Sequence, residues 1–145
     1  MNYLTCSLLN QEEIKILKTN LDSDNDSWED GKKTAGSFAS KVKNNLQLDR
    51  KSSISKKSTD FVVKKILNNV LIKSFTLPKI IHGIMFTKSL NGMQYGRHID
   101  NAFMSSGRAD LSFTIFLSDK KDYEGGNLVV ENINNENKFK LDQGE

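Results

Sequence analysis

The feature that most constrains the fold is a change of pattern at Pro78, the only proline among 145 residues. Before Pro78, apolar residues recur with the spacing of α-helices, and after it they form short alternating runs separated by Gly, Asn and Asp. Helices followed by antiparallel-looking strands predict an α+β fold, in which a sandwich or jelly roll lies behind the helices. A chain of this length can bury one core, so we expect a single domain over residues 1–145.

Two helices are predicted ahead of the proline. In Gln11–Leu21 the apolar positions follow a helical period, and Asn10 precedes them as a suitable N-cap. A second helix is predicted to be capped near Ser58 and to cover a sheet with one broad apolar face. That face consists of Phe61, Val62, Val63, Ile66, Leu67 and Val70. Between the helices, residues 31–58 predict loops with short extended pieces around 42–48.

The segment that follows the first helix carries acids at alternate positions, as the start of a calcium-binding loop does. Ser27, however, stands where the sharp turn of such a loop requires glycine, and Lys33 stands where the bidentate glutamate belongs. We therefore predict a polar loop that Trp28 closes by packing inward.

Four short apolar or alternating runs after the proline predict strands, because turn-forming residues separate them. These runs are Ile80–Phe86, Leu111–Leu117, Leu128–Ile133 and Lys138–Leu141. The sequence contains no glycine-rich phosphate loop and no internal repeat, so nucleotide-binding folds have little support.

Composition and charge narrow the class of protein. Hydrophobic residues make up 37% and charged residues 27% of the chain, and no apolar run approaches the roughly 20 residues of a membrane helix. Lys41–Lys65 holds eight basic residues against Asp49 and Asp60, but the net charge is only +3 and no nucleic-acid motif accompanies the run. We expect a solvated face there, with neither nucleic acid nor membrane as a partner. The single cysteine, Cys6, excludes an internal disulfide and fits a cytoplasmic location.

His98 and Asp100 form the one constellation that could carry chemistry. The chain has two histidines, and in an extended segment a spacing of two residues puts both of these side chains on one face. An imidazole and a carboxylate, joined by a second imidazole, form the facial triad of non-haem iron oxygenases. On spacing alone, the favoured alternative is a histidine hydrogen-bonded at a strand end and a turn-forming carboxylate next to Asn101.

The surroundings of this pair change that balance. Five segments of the chain resemble, in their order, the segments of one known family. They are Trp28–Gly31, Val42–Asn45, Phe86–Asp100, Gly107–Asp119 and Tyr123–Glu131. That family is the PKHD-type hydroxylases, in the prolyl-4-hydroxylase-like branch of the Fe(II)- and 2-oxoglutarate-dependent dioxygenases. The resemblance covers nearly the whole chain, and several spaced motifs in order are more specific than His-x-Asp alone.

The resemblance implies a fold and an activity. The fold would be a double-stranded β-helix, of the jelly-roll or cupin-like kind, preceded by N-terminal helices. His98 and Asp100 would bind Fe(II), 2-oxoglutarate and dioxygen would be cosubstrates, and ascorbate is a further candidate cofactor. The reaction would hydroxylate a C–H bond of a peptide or small molecule and release succinate and CO2. Tyr95 matches a tyrosine that in related hydroxylases reaches the distal carboxylate of 2-oxoglutarate, although packing on a strand remains the alternative.

Two departures from the family pattern affect these expectations. Lys88 and Ser89 stand where the family usually has an Arg-Tyr pair, and the sequence stops at Glu145, before the family's distal histidine and its 2-oxoglutarate-binding arginine. We therefore expect a fragment or truncated reading frame that lacks the last strands and holds iron poorly by itself. The alternative is a catalytically inactive β-helix module that binds a ligand or partner without iron.

Three other residues are not expected to supply the missing groups. Arg97 and Arg108 precede the position of the family's arginine, and Arg108 is expected to pair with Asp110. His82 lies in an apolar run, so we expect a core or edge residue rather than the third ligand.

Overall fold

The computed structural model describes residues 3–104 and 107–145. Its first helix, α1, spans Gln11–Leu21, as the sequence predicts. The Asn10 side chain accepts a hydrogen bond from the Glu13 backbone N–H, and the Glu13 carboxylate accepts one from the Asn10 N–H. This reciprocal capping box satisfies two backbone donors that would otherwise lack partners at the helix start.

The second helix, α2, spans Ser53–Asn68, so the prediction of a cap near Ser58 is wrong. Ser52 is the cap, because its hydroxyl accepts from the Ser55 backbone N–H at 3.1 Å. The first turns of α2 bury Ser55 and Ser58, and hydroxyl side chains do not register in a pattern of apolar residues. A third helix, α3, follows at Val70–Thr76.

The apolar face predicted for the second helix is narrower than expected. Val62 and Ile66 are buried, whereas Leu67 is 42% exposed and Val70 is 77% exposed. The end of α2 at Asn68 accounts for the exposure of Val70, which starts α3 and no longer follows the register of α2.

Short antiparallel strands make up the sheets of the described ranges, which gives an α+β architecture. A three-stranded sheet has the order β1, β3, β4, and the other pairs are β2 with β5, β6 with β7, and β8 with β9. The strands are β1 Trp28–Asp30, β2 Lys43–Asn44, β3 Leu46–Leu48, β4 Thr87–Lys88, β5 Gln94–Tyr95, β6 Phe103–Met104, β7 Gly107–Arg108, β8 Leu128–Glu131 and β9 Glu136–Phe139.

The strand predictions succeed in part. The runs beginning at Leu128 and Lys138 overlap the hairpin of β8 and β9, although β9 lies two residues earlier than predicted. The predictions of strands over 80–86 and 111–117 are wrong, since neither segment forms a strand that pairs with a neighbouring strand. An alternating pattern indicates which side chains share a face, but it does not supply a neighbouring strand.

Trp28 begins β1 where a loop was predicted, and it packs inward against the core as expected.

The core lies where α1 and α2 pack against the three-stranded sheet. Its buried members are Leu9, Ile14, Leu17, Leu21, Leu48, Val62, Ile66 and Phe86. Burial of each aliphatic side chain of this kind stabilises a fold by about 1.5–3 kcal/mol. No helix in the described part of the chain is long and apolar enough to cross a membrane.

Gly144 joins the helical core to the segment 111–117. Its carbonyl accepts from the Leu8 and Leu9 backbone N–H groups at 2.8 and 3.1 Å, and its own N–H donates to the Phe116 carbonyl at 2.7 Å. Gly144 is buried and has φ +92°, a conformation that favours glycine. A Cβ atom there would collide with the Leu9 carbonyl oxygen and lie 2.9 Å from Ile14 Cδ1.

We predict that Gly144→Ala lowers the free energy of unfolding by about 3 kcal/mol, the sum of backbone strain and overpacking. Gly92→Ala is the matched control, because Gly92 also has a positive φ, +78°, but faces open space. The control should cost about 1 kcal/mol, from strain alone. Urea denaturation of both variants measures the difference, and equal losses would contradict the packing argument.

A second prediction concerns Glu13, whose carboxylate pairs with Lys65 of α2. The Lys65 hydrogen bond is the main reason that the pKa of Glu13 lies below its ordinary value of 4.5. A lowered pKa means that this stabilisation is complete above pH 4.5 and is lost as the pH falls through the folded-state pKa. Glu13→Gln should therefore cost roughly 1 kcal/mol at pH 7 and progressively less in acid.

The control for this prediction is Glu12→Gln, which removes an acid from the same first turn but leaves the Lys65 pair intact. Chemical denaturation of the three proteins between pH 7 and pH 3 gives the comparison. A Glu13→Gln penalty that stays constant over this range would rule out the ion pair as its source.

Candidate metal centre

The site is built on a close contact between β2 and the end of β5. Tyr95 lies opposite Lys43 in this pair, and the Gly96 N–H donates to the Val42 carbonyl at 2.8 Å. A Cβ atom on Gly96 would lie 3.0 Å from Val42 Cβ, so the absence of a side chain allows the two segments to approach. The chain leaves β5 after Tyr95, and the two candidate ligands follow within five residues.

His98 and Asp100 converge, although the segment that carries them is not a strand. His98 Nε2 lies 3.4 Å from Asp100 Oδ1, and His98 Nδ1 lies 2.8 Å from the Gly96 carbonyl oxygen. A carbonyl oxygen only accepts, so Nδ1 carries the hydrogen of this bond. With Nδ1 as the donor, Nε2 faces a carboxylate oxygen, and either a proton on Nε2 or a bound cation completes this contact.

The hydrogen bond that His98 Nδ1 donates is the kind that metal-ligating histidines make. Metal-ligating histidines characteristically donate their second ring N–H to a carbonyl or carboxylate, which fixes the tautomer and the ring orientation. The Gly96 carbonyl provides that support for His98. The His98 side chain is 26% exposed and that of Asp100 is 67% exposed, so an ion can reach both.

Asp100 is held from a distant part of the sequence. The Ser112 hydroxyl donates to Asp100 Oδ2 at 2.7 Å, which leaves Oδ1 directed towards His98. Spacing could not have revealed this contact, because it joins residues 12 positions apart through the tertiary fold. The one signal in the sequence is that Ser112 is a hydroxyl residue within an apolar run.

Tyr95 packs directly on the candidate ligand. Its ring stacks on the His98 imidazole with the centroids 3.8 Å apart and the planes 8° from parallel. Burial, and to a smaller extent the negative charge of Asp100, raise the pKa of the Tyr95 phenol above its ordinary value of 10.0. The phenol therefore keeps its proton at neutral pH and remains a hydrogen-bond donor.

Lys43 is a second residue near the site, besides Ser112, that sequence reasoning missed. Its ammonium lies 4.9 Å from the centroid of the Tyr95 ring and donates to Gln47 Oε1 at 3.1 Å. The residue is 2% exposed, and burial, followed by the charge of Arg50, lowers the pKa of its ammonium. In the sequence, Lys43 is distinguished only as a member of the basic run 41–65, for which the sequence predicts a solvated face.

The other candidates of the sequence occupy separate places. Arg97 makes a bidentate ion pair with Glu131 of β8, with N–O distances of 2.8 and 2.9 Å. Arg108 pairs with Asp110 at 2.6 Å, as predicted. Lys88 contacts the Trp28 ring with its ammonium 4.5 Å from the ring centroid, and it pairs with Asp22 at 3.4 Å, so this departure from the family pattern has a packing role.

Among the described residues, two candidate metal ligands come together, His98 and Asp100. Across residues 3–104 and 107–145, no group of three or more His, Cys, Asp or Glu side chains is arranged to hold a metal ion. His82 is partly buried and lies in the segment 80–86, which forms no strand.

Comparison with known proteins finds close relatives of this chain. No protein-family profile matches the chain. The chain is nevertheless a close homologue of proteins named PKHD-type hydroxylases, so the resemblance found in the sequence is confirmed. Among these relatives, from Prochlorococcus marinus, the protein of strain MIT 9215 is 70% identical over 144 residues, or 99% of the chain. The protein of strain MIT 9515 is 68% identical over all 145 residues. The chain spans 65% and 66% of the lengths of these two relatives, respectively.

A third prediction tests the close contact beneath the site. Gly96→Ala should lower the free energy of unfolding by about 1–3 kcal/mol, because its Cβ would crowd Val42. In a Val42→Gly background the same substitution should cost clearly less, since the opposing Cβ is gone. Urea denaturation of wild type, both single variants and the double variant measures the coupling, and strictly additive losses would contradict it.

Proposed function

We propose that this chain provides the His98 and Asp100 ligands of an Fe(II)- and 2-oxoglutarate-dependent hydroxylase with a double-stranded β-helix fold. The observation that carries the proposal is the convergence of His98 Nε2 and Asp100 Oδ1 at 3.4 Å, with His98 Nδ1 anchored on a backbone carbonyl. The names of the relatives support the hydroxylase activity. The α+β architecture with small antiparallel sheets is compatible with the proposed fold.

The residues of this chain would bind and orient the reactants. When bound, Fe(II) supplies the activation of dioxygen that couples oxidative decarboxylation of 2-oxoglutarate to hydroxylation of a C–H bond. His98 and Asp100 would hold the ion through one nitrogen and one oxygen. Tyr95 would donate its phenolic hydrogen to the distal carboxylate of 2-oxoglutarate, and its raised pKa keeps that donor available at neutral pH. The substrate would be a peptide or a small molecule.

The proposal requires one more imidazole and a cation for the cosubstrate. A facial triad needs two histidines and one carboxylate, and the described residues bring His98 and Asp100 together without a third such group. We expect the third ligand, and the arginine that pairs with 2-oxoglutarate, in the part of the relatives' length that this chain does not span. This chain alone should therefore bind metal weakly.

Metal titration tests the proposal. Anaerobic Fe(II) titration of this chain, with Co(II) as a spectroscopic substitute, should give one site, and either His98→Ala or Asp100→Asn should weaken it at least tenfold. His82→Ala is the matched control, because it removes the other imidazole of the chain and should leave the affinity unchanged. Loss of binding in the His82 variant, or unchanged binding in both ligand variants, would contradict the assignment.

Activity is tested on the relative from strain MIT 9215. That protein should bind Fe(II) more tightly than this chain and form succinate from 2-oxoglutarate. If it binds iron without forming succinate, the oxygenase assignment fails. If neither protein binds iron, His98 and Asp100 are structural and the alternative of an inactive binding module takes over.

A further inference from the structure

The exposed position of Asp100 does not by itself fix the orientation of its carboxylate. Its side chain is 67% exposed, so the carboxylate could rotate among several rotamers in water. One hydrogen bond selects the observed orientation, in which the Ser112 hydroxyl donates to Oδ2 at 2.7 Å and Oδ1 remains directed at His98. A hydroxyl donor to a charged carboxylate forms one of the stronger hydrogen bonds in proteins.

The backbone on both sides of Ser112 is anchored, so its hydroxyl is presented from a fixed position. Ahead of it, the Ala109 N–H donates to the Ala102 carbonyl at 2.9 Å. Beyond it, the Phe116 N–H donates to the Glu145 carbonyl at 2.8 Å, and the Phe116 carbonyl accepts from Gly144. Ser112 therefore connects Asp100 to a segment that is itself tied to the helical core.

We propose that Ser112 is a positioning residue of the metal centre: its hydrogen bond holds Asp100 Oδ2, so that Oδ1 and His98 Nε2 are aligned for one divalent cation before the cation arrives. The inference rests on the proposed function, because it assigns Ser112 to the same site. Outer hydrogen bonds of this kind typically contribute 10–100-fold to metal affinity. The other oxygen of the carboxylate needs no further support, because it becomes the ligand.

The complementary anchor lies on the histidine side. The Gly96 carbonyl fixes the His98 ring, and the bidentate pair between Arg97 and Glu131 ties the intervening backbone to β8. The two ligands are thus oriented by separate means, a backbone carbonyl for the imidazole and one side-chain hydroxyl for the carboxylate. Only the second can be removed by a single side-chain substitution without disturbing the backbone.

The test compares three substitutions at one position. Anaerobic Co(II) titration, followed by absorbance and calorimetry, should show a 10–100-fold weaker site in Ser112→Ala than in wild type. Ser112→Thr keeps the hydroxyl and should recover most of the affinity, whereas Ser112→Cys, with a weaker donor, should lie between. Ser118→Ala is the matched control, because it removes a hydroxyl farther along the chain and should leave the affinity unchanged.

A metal-free measurement separates positioning from general stability. Thermal unfolding of the apo proteins should give nearly the same midpoint for Ser112→Ala and wild type, because the hydrogen bond joins two exposed side chains and contributes little to global stability. If wild type binds Co(II) and Ser112→Ala binds it equally well, or if Ser112→Thr fails to recover the loss, the positioning role is overturned. If wild type itself shows no site, the proposed function fails, and the wild-type titration alone identifies that outcome.

Discussion

The backbone of Gly144 joins the N-terminal part of the chain to the segment 111–117. Its carbonyl and N–H bond to the N-terminal segment and to Phe116, and the absence of a side chain lets it lie against Leu9 and Ile14 of the core. The segment 111–117 pairs with no strand, and this contact attaches it to the helical core together with the packing of Ile115 and Leu117. Because Ser112 belongs to that segment, Gly144 helps to place the hydroxyl that orients Asp100, 44 positions earlier in the chain.

The candidate metal centre brings its two ligands together through contacts of the protein itself. Stacking on Tyr95 and the bond to the Gly96 carbonyl hold the His98 ring in place. That same bond turns Nε2 towards Asp100 Oδ1, where a proton or a bound cation offsets the carboxylate charge.

The sequence predicted those elements whose information is local. Helix α1 was found because the Asn10 cap and the period of Ile14, Leu17 and Leu21 lie within one segment. The start of α2 was missed because Ser55 and Ser58 are buried hydroxyls, and the segments 80–86 and 111–117 were taken for strands because alternation does not reveal pairing. Spacing and family resemblance indicated His98, Asp100 and Tyr95. Lys43 and Ser112 reach the site through tertiary contacts, which no local pattern could indicate.

Lys43 is a buried positive charge beside the candidate site. Among the ion pairs of the described residues none includes its ammonium, which contacts neutral oxygens and the Tyr95 ring and is attracted by Asp30 from farther away. An anion that accepts a hydrogen bond from Tyr95 would lie within the field of that charge and offset part of the cost of burying it. If an anionic cosubstrate binds there as proposed, binding and folding are linked by mass action, and the protein would resist unfolding and proteolysis best when that anion is abundant.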